Sequence, residues 1–297
     1  MPSSFENDGL TGCLMVKRPI RSVQEMLDRI ESLRRLWKLD NPNKRPGDAD
    51  PLWFRGQRLS CWGLTPRGYR PEFRGVREAD VRHEFQSQAI QLIQGHPPTD
   101  KWDWYFLMQH YGVPTRLLDW TENPLVALFF AIHDNYEEHD GAVWVLDPDW
   151  LNQQTKKLGV SGAMLPDWKE AQPYLPSLET AFSGSKVRRE SPVAIEPLQI
   201  DRRIAAQKSR FVIFGTCKDM ADLKCTRLPK ASLVKLTIKK DHIASLRREL
   251  ERVGITISAL FPDLEGLSQE ICHRWTDHSR LPRSTRCRCN LSRKNKH

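Results

Sequence analysis

Every residue from Leu125 to Ile132 is apolar: Leu125, Val126, Ala127, Leu128, Phe129, Phe130, Ala131 and Ile132. Asn123-Pro124 stands directly before them. Asn is a strong helix cap, and Pro is tolerated at the first helical position, where no backbone donor is needed. A helix that is apolar all round has no face to give to water, so it must be central. The rest of the chain has to cover that helix on several sides. Just upstream, Leu117-Leu118-Asp119-Trp120 reads as a short extended piece.

The remaining elements follow from spacing and punctuation. Ser22 and Glu25 make a capping box, and Val23, Met26, Leu27, Ile30, Leu33 and Leu36 continue at helical spacing to about Asp40. Leu52-Trp53-Phe54 reads as a strand broken at Gly56. A helix is expected over Glu78 to Gln94, stopped by Gly95 and Pro97, and an aromatic one capped by Thr99 and ending near Gly112. Strands are expected at Ala142 to Leu146, Arg210 to Gly215 and Leu233 to Ile238, and short helices with a long loop across 149–190. Asp241 to Arg252 reads as a helix, Ile255 to Ala259 as extended, and Asp263 as the cap of a last helix to about His273. Short strands between long helical stretches imply an α+β fold: a small mixed or antiparallel sheet surrounded by several helices. The expected organisation is a flexible 1–20, one body over 21–273 with a helical N-terminal part, and a tail over 274–297.

Hydrophobic residues make up 39% and charged ones 28%, a globular balance that can cover such a helix. No run of eighteen apolar residues occurs, and the first ten residues carry Glu6 and Asp8 with no apolar h-region. Neither a membrane span nor a secretory signal is expected. The seven cysteines are odd in number and irregular in spacing, which argues against a disulfide framework and for a reducing cytoplasm. No metal is expected: Cys287-Arg288-Cys289 is too tightly spaced for a zinc pair, even with His273 and His278 nearby. The net charge is +9, but residues 274–297 hold eight Lys or Arg against Asp277. The tail therefore carries +7 and the other 273 residues +2. Such a tail reads either as a solvated, disordered end or as a binder of nucleic acid by counterion release; the body gives no electrostatic case for nucleic acid.

Three segments, taken in order, carry a resemblance. The first is Trp53-Phe54-Arg55-Gly56-Gln57. The second runs Gln109-His110-Tyr111-Gly112-Val113-Pro114-Thr115-Arg116-Leu117-Leu118-Asp119-Trp120-Thr121 and on through Asn123-Pro124 to Ala131. The third is Arg203-Ile204-Ala205-Ala206-Gln207, followed by Phe211. Together with Leu260 to Leu267 they resemble the FRG family, named for its Phe-Arg-Gly signature, over about residues 20–273. The resemblance implies a bacterial or phage setting, in part defence-associated, and no specific reaction. A more distant resemblance is to the layout of ADP-ribosyltransferases, in which a strand-end Arg beside Gly helps to hold NAD.

Arg55 offers five fixed donors suited to phosphate or carboxylate, and it could equally pair with Asp119 to hold two segments together. Gly56 lets the backbone turn or approach a ligand. Thr121 either touches a ribose or caps the helix that starts near Pro124. Where the transferases carry a glutamate, this chain has Gln207, which can hydrogen-bond a ribose but supplies no negative charge. Another carboxylate would have to enter the pocket, with Glu84, Asp119 and Glu122 as candidates. His110 is either a general base or a helix-end histidine. The ADP-ribosyltransferase-like reading gives Arg55, Asp119, Thr121 and Gln207 the catalytic roles. Arg55, Gly56, Gln57, His110, Tyr111, Thr115, Arg116 and Thr121 would contact NAD or a related nucleotide, and a protein could be the target. The alternative is a non-catalytic recognition or sensor domain. No P-loop, Gly-x-Gly-x-x-Gly or Gly-x-Ser-x-Gly pattern is present, so ATP hydrolysis, Rossmann dehydrogenation and serine hydrolysis are poorly supported.

Overall fold

The computed structural model describes residues 5–7, 14–16, 18–40, 52–73, 75–93, 96–134, 139–154, 162–175, 191–197, 202–215 and 233–275. The strands are β1 (Phe5–Asn7), β2 (Leu14–Val16), β3 (Trp53–Gln57), β4 (Leu117–Thr121), β5 (Gly141–Leu146), β6 (Val193–Ile195), β7 (Ser209–Ile213) and β8 (Leu233–Ile238). The helices are α1 (Val23–Asp40), α2 (Glu78–Ala89), α3 (Lys101–His110), α4 (Pro124–Ile132), α5 (Pro148–Gln154), α6 (Arg202–Ala206), α7 (Ile243–Arg252), α8 (Ile257–Leu260) and α9 (Leu264–Trp275). The fold is α+β. One sheet runs in the order β1-β2-β8-β5-β3-β4-β7-β6. All its neighbours are antiparallel except β2 and β8, which are parallel.

The apolar run forms α4, and Asn123 Oδ1 accepts from the Leu125 N–H at 2.9 Å. Helix α4 lies against one face of the sheet. There Val126, Ala127, Leu128 and Ile132 pack with Phe54, Val143, Val145, Val234 and Leu236, and with Met26, Ile30 and Leu33 of α1 and Leu246 and Leu250 of α7. The alternating residues Trp53, Trp144, Leu146 and Leu233 build a second core on the other face, with Trp150 and Leu151 of α5. A third core joins Trp102, Tyr105 and Phe106 of α3 to Leu117, Val193, Ile195, Phe211 and Ile213 at the far end of the sheet.

Several local expectations need correction. Strand β3 does not break at Gly56 but continues to Gln57, because Gly56 is where α4 meets the strand. A Cβ there would collide with the carbonyl oxygen of Ala127 and stand 2.6 Å from the amide nitrogen of Ala131. Helix packing, not a turn or a ligand, is what requires this glycine. Asp100, not Thr99, caps α3, accepting from the Trp102 N–H at 2.6 Å. Helix α2 ends at Ala89, short of Gln94. The segment Ile255 to Ala259 is not extended: Thr256 caps the single turn α8. Strands β1 and β2 fall within residues 1–20. Residues 276–297, with Cys287, Cys289 and most of the basic tail, lie outside the described residues. Among the described residues no helix is long and apolar enough to cross a membrane, and no cluster of three His, Cys, Asp or Glu could hold a metal ion.

Candidate functional site

Strands β3 and β4 pair only at Phe54 and Thr121. Beyond that point Arg55, Gly56 and Gln57 pair with β5 alone, while Leu117 to Trp120 pair with β7 alone. The sheet splits between them, and a cavity of about 770 Å³ opens in the gap. Consecutive strand residues point to opposite faces, yet Arg55 and Gly56, and likewise Leu118 and Asp119, line the same cavity. The space therefore lies within the separation of the strands and not on one face of the sheet.

Five arginines line it: Arg55, Arg58, Arg67, Arg70 and Arg203. Among the described lining residues Asp119 is the one carboxylate. Arg55 is largely enclosed, with its side chain 18% exposed. Its Nη1 donates to the carbonyl oxygen of Asp119 at 2.6 Å, and its Nε is buried with no hydrogen-bond partner. Burial pushes the guanidinium below its ordinary pKa; Asp119 partly opposes this and Arg70 adds to it. Arginine stays protonated regardless, so Arg55 keeps a positive charge within the enclosed cleft. Arg67 donates to the carbonyl oxygen of Gly112, which turns the chain from α3 toward β4 at a φ of +73°. Arg203 lies over the Phe261 ring at 4.4 Å. Arg58 faces Asp134 at 3.9 Å and the Trp62 ring at 6.0 Å.

The Asp119 carboxylate is steered from α3. Gln109 Nε2 stands 3.0 Å from each of its oxygens. Gln109 Oε1 accepts from the Thr115 hydroxyl, which in turn accepts from the Leu117 N–H at 3.0 Å. The Arg55 guanidinium is 3.7 Å from the carboxylate, so its closer tie is to the Asp119 backbone.

Of the residues expected at the site, Arg55, Gly56, Gln57, His110, Asp119, Thr121 and Gln207 line the cavity together. Three others do not. Tyr111 is 69% exposed at the end of α3. Thr115 is buried, with its hydroxyl committed to Gln109. Arg116 is fully buried beneath the site: its Nε meets Glu78 at 2.7 Å, its Nη1 donates to the carbonyl oxygen of Phe214 at 2.7 Å, and its Nη2 donates to that of Tyr174. Tyr105 completes the cluster by donating to Glu78, so Arg116 braces α2, α3 and β4 instead of facing a ligand.

Some lining groups are committed to internal bonds. Thr121 Oγ1 donates to the carbonyl oxygen of Gln207 at 2.6 Å and accepts from the Asn123 N–H at 3.0 Å. Gln207 Nε2 donates to the carbonyl oxygen of Leu260 at 3.1 Å. Gln57 is held at both ends, by Gly63 at 2.9 Å and by Trp144 at 2.7 Å. Of the candidate carboxylates only Asp119 reaches the cavity. Glu122 pairs with Arg210 at 2.8 Å, and Glu84 lies on α2 beside Gln88. Sequence reasoning missed Arg58, Arg67, Arg70, Arg203 and Gln109 as lining residues. Arg58 and Arg70 sit in loops and Arg67 opens a short 3-10 turn, with no periodicity to mark them, and Arg203 and Gln109 were legible only as parts of motifs.

Residues 50–140 match the FRG domain family. The matched stretch contains both lips of the split, β3 with Arg55 and β4 with Asp119, and the helix α4 that packs on Gly56. The segments Arg203 to Gln207 and Leu260 to Leu267 lie outside it. No curated protein and no solved structure matches the chain. Over residues 50–140, with the two strands that frame the cavity, the chain carries an FRG domain.

Proposed function

We propose that the cleft between β3 and β4 binds a phosphate-bearing nucleotide, NAD or a related compound. The observation that carries this reading is the charge of the lining: among the described residues, five arginines against one carboxylate, around a cavity of about 770 Å³. Arginine suits phosphate because its planar fork presents several donors at once. Arg55 is poised for that role, since it is largely buried and its Nε lacks a partner. The volume falls within the usual range for small-molecule and cofactor sites, about 300–1,000 Å³. Titrating NAD into the protein by calorimetry tests the reading. Saturable heat that weakens with added salt supports it, and no binding at millimolar NAD overturns it.

A second reading has its own support. Gln207 stands where the ADP-ribosyltransferase layout calls for a glutamate, and its amide is engaged with Leu260. That favours recognition of a nucleotide without turnover. Incubating the protein with labelled NAD and a cell lysate separates the two. Label transfer or NAD breakdown that is lost in Arg55→Ala speaks for an enzyme; retention of intact NAD by a protein that binds it speaks for a sensor.

A further inference from the structure

The cavity's carboxylate is in an unexpected place for a site that takes phosphate. Asp119 remains 57% exposed while facing the cavity with five arginines around it. It is not loosely held. The Leu117 N–H donates to the Thr115 hydroxyl, whose own proton therefore goes to Gln109 Oε1. That fixes the Gln109 amide with Nε2 toward Asp119, 3.0 Å from both carboxylate oxygens. A bare polyphosphate would be better bound without this negative charge. A carboxylate only accepts hydrogen bonds, with about four lone-pair sites on its two oxygens. A ligand that gains from Asp119 must therefore bring donors together with its anionic groups. The vicinal hydroxyls of ribose are the donors that accompany phosphate in a nucleotide, and carboxylates bind such diols in other dinucleotide sites. The alternative ribose contacts are engaged: Thr121 donates to the carbonyl oxygen of Gln207, and the Gln207 amide donates to that of Leu260.

We propose that Asp119, positioned by Gln109, accepts the hydroxyls of a ribose, so that the cleft selects a ribose-bearing phosphoester over a bare polyphosphate. This rests on the reading of the cleft as a nucleotide site. Two ligands separate the two claims: NAD and inorganic pyrophosphate, each titrated calorimetrically into the full chain, the wild type beside Asp119→Asn and Gln109→Leu. Asp119→Asn weakens NAD by about tenfold or more, the scale of losing a charge-assisted hydrogen-bond partner. The same substitution leaves pyrophosphate binding unchanged or tightens it, because one repulsive charge has gone. Gln109→Leu moves NAD in the same direction by a smaller factor and spares pyrophosphate. A brace that merely shaped the cleft would weaken both ligands together. Parallel loss of both ligands, or unaltered NAD affinity in Asp119→Asn, overturns the assignment. So does a wild type that binds pyrophosphate but not NAD. A wild type that binds neither overturns the nucleotide reading itself, and the ribose contact with it.

Discussion

Arg55 Nη1 reaches the carbonyl oxygen of Asp119 at 2.6 Å, across the gap where β3 and β4 no longer pair. One side chain thus spans an opening that the backbone ladder leaves unbridged. The bond satisfies a strand carbonyl that has lost its ladder partner on that side. It also holds the guanidinium inside the cavity, with Nε unsatisfied. Leaving a buried donor without a partner costs about 1–3 kcal/mol, a cost that an anion bound in the cleft would offset.

Gly56 is the hinge point of this arrangement. A methyl group there would run into the α4 backbone at Ala127 and Ala131, and backbone cannot step aside as a flexible side chain can. Gly56→Ala is expected to destabilise the domain by about 3 kcal/mol, at the upper end of ordinary overpacking. Chemical denaturation followed by tryptophan fluorescence would measure it.

The central helix and both lips of the cleft were legible in the sequence because each carries a strong local signal. Asn123-Pro124 and the wholly apolar Leu125 to Ile132 mark both the start of α4 and its burial within a few consecutive residues. Arg55, Asp119, Thr121 and Gln207 do meet around one cavity, as their motifs imply. Strand β6 and helix α6 were not legible: three and five residues are too few for a period to show. Arg116 meets the buried Glu78, 38 positions away, and an arginine inside a polar motif looks the same in sequence whether it faces a ligand or such a partner. The split between β3 and β4 has no sequence signature, since it depends on which strands fail to pair.

The pair Arg116 and Glu78 has no solvent exposure on either side. Removing one partner leaves the other charge buried, which typically costs about 3–5 kcal/mol. Arg116→Met is expected to lower the urea midpoint accordingly. If the cleft takes NAD as proposed, whatever fraction remains folded binds it as the wild type does, because Arg116 is not among the residues that line the cavity. A loss of affinity larger than the unfolded fraction explains would contradict that placement.

Two buried tryptophans differ in their indole nitrogens. Trp144 Nε1 donates to Gln57 Oε1 at 2.7 Å, whereas Trp102 Nε1 has no partner. Both substitutions to Phe lose volume, but only Trp144→Phe leaves an acceptor stranded, at a further cost of about 1–3 kcal/mol. Equilibrium unfolding should therefore rank Trp144→Phe below Trp102→Phe in stability.

His133 stacks on Phe129 with ring centroids 4.5 Å apart. Burial holds its pKa below the ordinary value; Asp134 opposes this, while His273, Arg247 and Arg58 add to it. The imidazole is thus neutral in the folded chain at a pH where the unfolded chain, titrating near about 6.5, already binds a proton. Its contribution is full above that pH and is lost as the pH falls toward the folded value. Urea midpoints from about pH 7.5 to 5.5 should drop more steeply for the wild type than for His133→Gln. Equal slopes would mean that the histidine is not shielded from water.

The nucleotide reading stands or falls most directly on Arg55. Calorimetric titration of NAD into wild type and Arg55→Ala, with both proteins checked for folding by circular dichroism, compares the cleft with and without this enclosed positive charge. The account predicts saturable binding to the wild type, and affinity lowered by about tenfold or more in the variant. Equal affinity in the two folded proteins, or no heat from the wild type at millimolar NAD, would contradict it.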